Sequence, residues 1–335
     1  MVERILIVTN IKRFPLSWKS THGDSGNSII ANSTSEFLEH RSEPGAIFVV
    51  NCDPSLSFQL AIALWFQNAP QLVSVDLVLR RSYDLRSAIA LRGKRLLLRR
   101  FNHHIHYFRD LEAYGRVYGI TAERSSFVPF KANLEFEEEL PADGNGTYVL
   151  CFGQSLRDFD TFFDAMEKLG YPGAIPEPDF ALLRKHGSKF TRSLSKIPRN
   201  VRLLADDKSN EAQKRILRNA RLVVLPILKT SMAASGIATS LNSMLAGKCV
   251  IGTEGPGMSD IFRTEMLLVP PEDPEALARV IRRSWEDDEL RQRTAEAGQR
   301  LARSLGGEPE LYQRIIDAVV AFLTSRKGNY VLRSS

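Results

Sequence analysis

The sequence predicts an α/β protein: two doubly wound, Rossmann-like domains, each a parallel sheet covered by helices on both faces. Three observations carry this. Short apolar runs alternate with amphipathic stretches from end to end, the order that crossover helices between parallel strands require. The 335 residues exceed one typical domain and divide readily into two. Between Asn133 and Thr147 the composition turns acidic and then supplies Pro141, Gly144 and Gly146, as a linker does.

In the first domain, residues 4–9, 46–50, 72–77, 104–108 and 126–129 read as strands, with helices at 28–40, 55–67, 87–101 and 110–118. In the second, strands are expected at 148–152, 201–204, 222–225, 249–251 and 267–269. Helices are expected there at 160–169, 210–219, 235–246, 274–285 and 289–304. Glu272 and Asp273 put negative charge at the start of one of them, as the helix dipole favours. A last helix, 308–323, has the length to cross back toward the first domain. The plan is therefore 1–135 as one domain, 136–147 as linker, 148–307 as the second domain and 308–335 as returning helix and tail. Doubly wound sheets bind ligands beyond the carboxyl ends of their strands. Two such domains facing a cleft would both aim their loops into it.

Composition excludes several classes. Hydrophobic content of 43% and charged content of 25% suit a soluble globular protein. No apolar run approaches the roughly 20 residues that span a bilayer. Cys52, Cys151 and Cys249 are odd in number and far apart, which fits neither a disulfide framework nor a metal site and suggests a reducing cytoplasm. The net charge of +6 favours anionic partners in general. Cations concentrate between Arg80 and Arg100, with Arg86, Arg92, Lys94, Arg95 and Arg99 among leucines. Such a basic amphipathic stretch is a candidate for peripheral contact with an anionic membrane, here its cytoplasmic face. It lacks the interleaved aromatics that stack on nucleic acid bases, so no nucleic acid is expected.

The stretch 222–252 is the most informative. An apolar strand runs into Pro226 and a polar loop, Ser235-Gly236 opens a helix, and Gly247-Lys248 closes it before the next strand. A helix that begins at a small-residue turn after a strand presents unpaired N–H groups and a positive dipole end, a seat for phosphate. The donors would come from Ser235, Gly236, Ile237, Ala238, Thr239 and Ser240.

These residues bring a family into view. The segment 236–248, with Met244 and Gly247-Lys248, resembles the "E-G-F-G-x-x-x-x-E-A-M-x-x-G-K-P-V-I" pattern of glycosyltransferases of the B fold, family 4 (glycosyltransferase group 1). Residues 148–153 resemble that family's strand ending in Gly-Arg, 219–226 its "a-d-v-v-v-l-P" strand, and 268–278 its "l-v-P-p-D-p-e-a-L-A" turn. Fainter likeness covers 104–131. The resemblance implies the B fold, with a donor-binding second domain and an acceptor-side first domain. It further implies metal-independent transfer of a sugar from a nucleotide-diphosphate donor, with no cofactor. The acceptor is open: a glycan, a lipid-linked molecule or a small molecule. An epimerase of the same fold, or a nucleotide-sugar binding module without activity, are the alternatives.

The same resemblance assigns residues. Gly153 and Gln154 stand at the family's Gly-Arg, leaving Arg157 as the nearer cation for the leaving diphosphate. Lys229 is a second cation, and Asp260 occupies the acidic position of the "g-G-x-x-E" loop. The family's two glutamates fall on Ala234 and Asn242; Asn242 retains only hydrogen-bonding capacity toward a ribose. Inverting relatives keep a general base in the loop after the first strand, and His22 with Asp24 suits that role. His103, His104 and His106 lack the company that zinc needs, and His104 with His106 reads as a structural pair on one strand face.

Overall fold

The computed structural model describes residues 5–67, 70–79, 85–136, 141–142 and 146–331. Of the predicted linker, 137–140 and 143–145 lie outside the described residues, as do 80–84 of the basic stretch. The chain forms two compact units, Met1–Pro129 with Glu308–Ser335, and Phe130–Gly307.

The first unit runs β1 (Ile5–Thr9), β2 (Ser17–Lys19), β3 (Ser25–Ile30), α1 (Thr34–Glu39), β4 (Ala46–Asn51) and α2 (Pro54–Ala63). It continues with β5 (Gln71–Val75), α3 (Leu85–Leu98), β6 (His103–His106), α4 (Glu112–Tyr118) and β7 (Ser125–Phe127). The strands order as β2-β3-β1-β4-β5-β6-β7 and pair in parallel, except that β2 is antiparallel to β3. Ile7, Phe48, Val49, Val73 and Ile105 are fully buried, as expected where helices cover both faces of a sheet.

The helix expected at 28–40 is shorter, because Ser28–Ile30 completes β3. Ser33 sets the true start: its Oγ accepts from Glu36 N–H, and the Glu36 carboxylate accepts from Asn32 N–H. That reciprocal cap stops the helix from extending backward.

The second unit holds β8 (Tyr148–Cys151), α5 (Phe159–Met166), β9 (Gly173–Pro176), α6 (Phe180–Lys185), β10 (Val201–Leu204) and α7 (Asn210–Arg218). Then come β11 (Ala220–Leu225), α8 (Ile237–Leu245), β12 (Cys249–Thr253), β13 (Leu267–Val269), α9 (Pro274–Glu286) and α10 (Asp288–Ser304). The sheet is parallel throughout, in the order β10-β9-β8-β11-β12-β13. Periodicity did not reveal β9 and α6. The strand is four residues ending in proline, and the helix is six residues held by the Asp179 cap. Phe162, Phe163, Leu222, Val224, Cys249, Ile251 and Ile281 close the core, each large apolar side chain contributing about 1.5–3 kcal/mol.

The final helix, α11 (Glu308–Val331), belongs to the first unit. Gln313 Nε2 donates to the Lys19 carbonyl, Thr21 N–H donates to Asp317 Oδ1, and Phe322 stacks on His103.

Candidate anion-binding site

β8, β11 and β12 are neighbours in the second sheet, so the loops leaving their carboxyl ends meet. Gly236 precedes α8 at φ 92°, a backbone state that L side chains rarely adopt. A Cβ there would also come within 3.2 Å of Arg157 Nη1 and Met258 Cε. The first intrahelical bond runs from Ser240 N–H to the Gly236 carbonyl at 2.8 Å. The amides of Ile237, Ala238 and Thr239 lie ahead of it, and no side chain caps them. α5, α6, α7, α9 and α10 each begin at an Asp or Ser whose side chain accepts from an amide three residues on. Among the described α-helices of this unit, α8 alone lacks such a cap.

Arg157 lies beneath that helix start, 1% exposed. Its backbone is pinned: the N–H donates to Ser188 Oγ, and the carbonyl accepts from Lys189 N–H, both at 2.8 Å. Gly153, at φ 105°, leaves room for the side chain, since a Cβ there would sit 2.2 Å from Arg157 Nη2. Nε and Nη1 have no hydrogen-bond partner among the described residues and are shut off from solvent. The adjacent Asp158 does not compensate them. Its carboxylate accepts from Thr161 N–H and Oγ1, capping α5. Burial pulls the Arg157 guanidinium down to about 10, so it stays cationic at neutral pH. A buried cation against the positive end of a helix is an arrangement that an anion completes.

The other predicted donor residues divide. Thr239 is partly exposed at the helix start, and Ala238 is beside it. Ser235 is buried, with Oγ accepting from Ser231 Oγ. Ser240 is turned inward, its Oγ donating to Met258 Sδ at 3.7 Å, which removes it from the donor set. Asn242 is also a correction. It is 6% exposed, and its Oδ1 accepts from the amides of Asn133 at 2.7 Å and Leu134 at 3.1 Å, so it fastens that segment instead of offering its oxygen to a ribose. Asp260 Oδ1 accepts from Gly257 N–H and shapes its own loop. The Gln154 carbonyl accepts from Ser188 Oγ, steadying the Arg157 loop.

Lys229 is exposed and lines a cavity of about 160 Å³ with Ser231, Glu254, Gly255 and Met258. Glu254 had no signal in the sequence, since one carboxylate after a strand is commonplace. Ala234 packs against the Gly257 loop so closely that a Cβ on Gly257 would fall 2.4 Å from its own Cβ.

His22 and Asp24 require a correction too. β3 is parallel to β1, with Gly26 opposite Ile5, so the turn between β2 and β3 sits at the amino edge of the first sheet. Ligand loops lie at the opposite edge. The chain doubles back through β2 before reaching that turn, and periodicity did not reveal so short a strand. At the carboxyl ends of β4 and β5 stand Cys52 and Asp76, both with left-handed backbone at φ 52° and 47°. Cys52 Sγ donates to Asp76 Oδ2 at 3.6 Å. Burial raises Asp76 to about 6, and burial with the Asp76 charge pushes the thiol to about 12. Two non-glycine residues held in this conformation at touching positions store strain of roughly 1–3 kcal/mol each, a pattern that clusters at functional sites.

The three histidines of β6 are buried. His104 Nδ1 pairs with Ser74 Oγ and His103 Nε2 with Ser126 Oγ, both at 2.7 Å, while both ring nitrogens of His106 lack a partner among the described residues. His104 and His106 stack with ring centroids 6.0 Å apart. Among the described residues, no group of three His, Cys, Asp or Glu could hold a metal ion, and no helix is long and apolar enough to cross a membrane.

Comparison with known proteins bears on this geometry. Residues 193–301, which include the α8 loop, match the family model described as glycosyl transferases group 1. No curated protein matches the chain in sequence. Among solved structures, it is similar to sucrose-phosphate synthase from Thermosynechococcus elongatus, at 16% identity and TM-score 0.64, covering 96% of this chain and 88% of that one. It is similar to Anabaena Alr3699/HepE in complex with UDP-glucose, at 15% identity and TM-score 0.64, covering 95% and 100%. A third is an alpha,alpha-trehalose-phosphate synthase (UDP-forming) from Burkholderia vietnamiensis, at 11% identity and TM-score 0.60, covering 97% and 99%. The chain therefore has the fold of the B-type glycosyltransferases.

Proposed function

We propose that the chain transfers a sugar from a nucleoside-diphosphate sugar to an acceptor hydroxyl, with the donor's diphosphate at the start of α8. One observation carries this reading: a buried Arg157, whose Nε and Nη1 have no partner among the described residues, beneath uncapped helix amides. As the anomeric C–O bond breaks, negative charge collects on the β-phosphate. Donors fixed in advance stabilise that charge without reorganising. Arg157 and the amides of Ile237, Ala238 and Thr239 supply positive potential of the kind a metal ion would otherwise bring, so the reaction is proposed to need none. Lys229 and Glu254 are the charged groups offered to the donor's outer portion. The UDP and UDP-glucose bound to HepE make UDP the first nucleotide to try.

On the first unit, Asp76 is proposed to accept the proton of the acceptor hydroxyl. Exposed Ile89 and Leu96 share a helix face with Arg92, which supports peripheral contact of α3 with an anionic membrane inside the cell.

The test is product analysis with UDP-sugars across glycan, lipid-linked and small acceptors, with water as the default acceptor. Release of UDP with transfer of the sugar supports the reading. An altered sugar nucleotide without UDP release would make the protein an epimerase, and binding without turnover would make it a binding module; either overturns the proposal.

A further inference from the structure

The first unit carries a second basic site, remote from the ends of strands where a donor or acceptor binds. Arg95 and Arg99, at the end of α3, and Arg124, just before β7, line a cavity of about 160 Å³ with Leu98, Tyr118 and Gly119. The volume equals about five waters, enough for a phosphoryl group and part of what it esterifies. No carboxylate lines it. α3 leads into the amino end of β6 and α4 into that of β7. The cavity therefore lies at the amino edge of the sheet, opposite Asp76.

Arg95 and Arg99 are not accounted for by the fold, whereas Arg124 also holds the end of α3. Arg100 shows what a structural arginine does here: its guanidinium donates to the carbonyls of Leu64 and Pro70 and to Asn102 Oδ1. The carbonyls closing α3 are satisfied without Arg95 or Arg99. Those of Leu96, Leu97 and Leu98 accept from backbone amides, and those of Arg99 and Phe101 accept from Arg124 Nη2. From Leu85 through Arg109 the sequence contains no acidic residue. Arg95 and Arg99 are exposed and have no ion pair among the described residues. Arg95 reaches over the end of α4, its Nε 3.4 Å from where a Gly119 Cβ would be.

We propose that Arg95, Arg99 and Arg124 form a binding site for a phosphate ester, separate from the donor site. Planar guanidinium forks match phosphate oxygens in pairs, and several of them around one cavity discriminate a phosphate group from chloride. Leu98 and Tyr118 give the esterified group an apolar floor. The ligand is a soluble phosphorylated metabolite or a phospholipid headgroup, which present the same chemistry.

Two probes separate these sources: pyrophosphate by calorimetry, and flotation with phosphatidylcholine vesicles with or without phosphatidylglycerol. Each is run on the full chain and on the Arg95→Ala/Arg99→Ala variant, whose exposed substitutions leave the melting temperature unchanged. Arg157→Met is run in parallel to silence the donor site. A pyrophosphate site that survives Arg157→Met and weakens at least tenfold in the double variant establishes a soluble ligand. Binding confined to phosphatidylglycerol vesicles, and lost in the double variant, establishes a headgroup. If neither probe binds, or neither loses affinity with Arg95 and Arg99, the inference fails.

Discussion

Replacing Arg157 with methionine separates a charge kept for a ligand from one kept for the fold. The structure holds the guanidinium without a carboxylate, and its pKa falls from the ordinary 12.5 to about 10. The sign follows from linkage. The folded state binds this proton less tightly than the unfolded chain, so folding is penalised wherever the group is charged, which means throughout the range below about pH 10. At about 1.4 kcal/mol per tenfold change, the penalty at neutral pH is about 3 kcal/mol. Methionine fills a similar volume without charge, so the ligand-free variant is expected to be more stable, by about 1–3 kcal/mol after imperfect packing is deducted.

The ligand-bound comparison runs the other way. A nucleoside diphosphate at one hundred times its Kd stabilises a one-site protein by about 2.7 kcal/mol. In the variant most of that gain should vanish. Trp285 lies in the second unit and Trp18 and Trp65 in the first, so a Trp18→Phe/Trp65→Phe background makes fluorescence report the second unit alone. Urea titrations of that protein, with and without UDP, give both numbers. A variant less stable without ligand, yet still shifted fully by UDP, would show that Arg157 serves packing and would remove it from the diphosphate site.

Other outcomes follow from the same geometry. Asn242→Ala strips the acceptor from two backbone amides, which should cost about 1–3 kcal/mol in urea while leaving UDP affinity within a few-fold; a tenfold affinity loss at unchanged stability would return Asn242 to the ribose. Asp76→Asn should abolish the rise of kcat/KM as pH increases through about 6, where Asp76 loses its proton; an unchanged profile of UDP release would exclude it as the base. His106 is held near 4, below its ordinary 6.5, by burial. The unfolded chain takes up that proton first, so the first unit loses stability as pH falls from 6.5 toward 4, by up to about 3 kcal/mol. His106→Leu should flatten that decline in denaturation followed by Trp18 and Trp65, and an equally steep decline would assign it to other groups.

Much of the second unit was legible because its central strands are buried on both faces, so β8, β11 and β12 stand out as apolar runs. The helix start at Gly236 was legible for a related reason: a glycine after a strand and loop marks where backbone must turn with φ positive. The side chains around it were less so. Ser240 and Asn242 follow Gly236 by four and six residues, and whether such groups face a ligand or the interior depends on helix rotation and on the Met258 and Asn133 that meet them. Neither partner is near in sequence. The first unit misled at His22 because a three-residue strand reverses the chain, carrying a plausible His–Asp pair to the wrong edge of the sheet. The pairing of Asp76 with Cys52 was illegible for the opposite reason: positive φ at a non-glycine residue leaves no trace in sequence.

The absent family glutamates fit this picture once electrostatics are considered site by site. A glutamate at position 234 would stand close to the start of α8 and offset the positive potential that the helix and Arg157 create there. With alanine at 234, sealed against Gly257, and with the Asn242 oxygen spent on backbone amides, neither of those two positions places a carboxylate against that potential. Diphosphate binding should be strengthened by this, while the grip on sugar hydroxyls is weakened. Under the proposed reading, recognition of the transferred sugar would pass to the groups around the neighbouring cavity, where Glu254 offers a carboxylate acceptor and Lys229 a donor. On that reading the leaving group would remain the anchor, and the loop that reads the sugar would change from the start of α8 to the loop after β12.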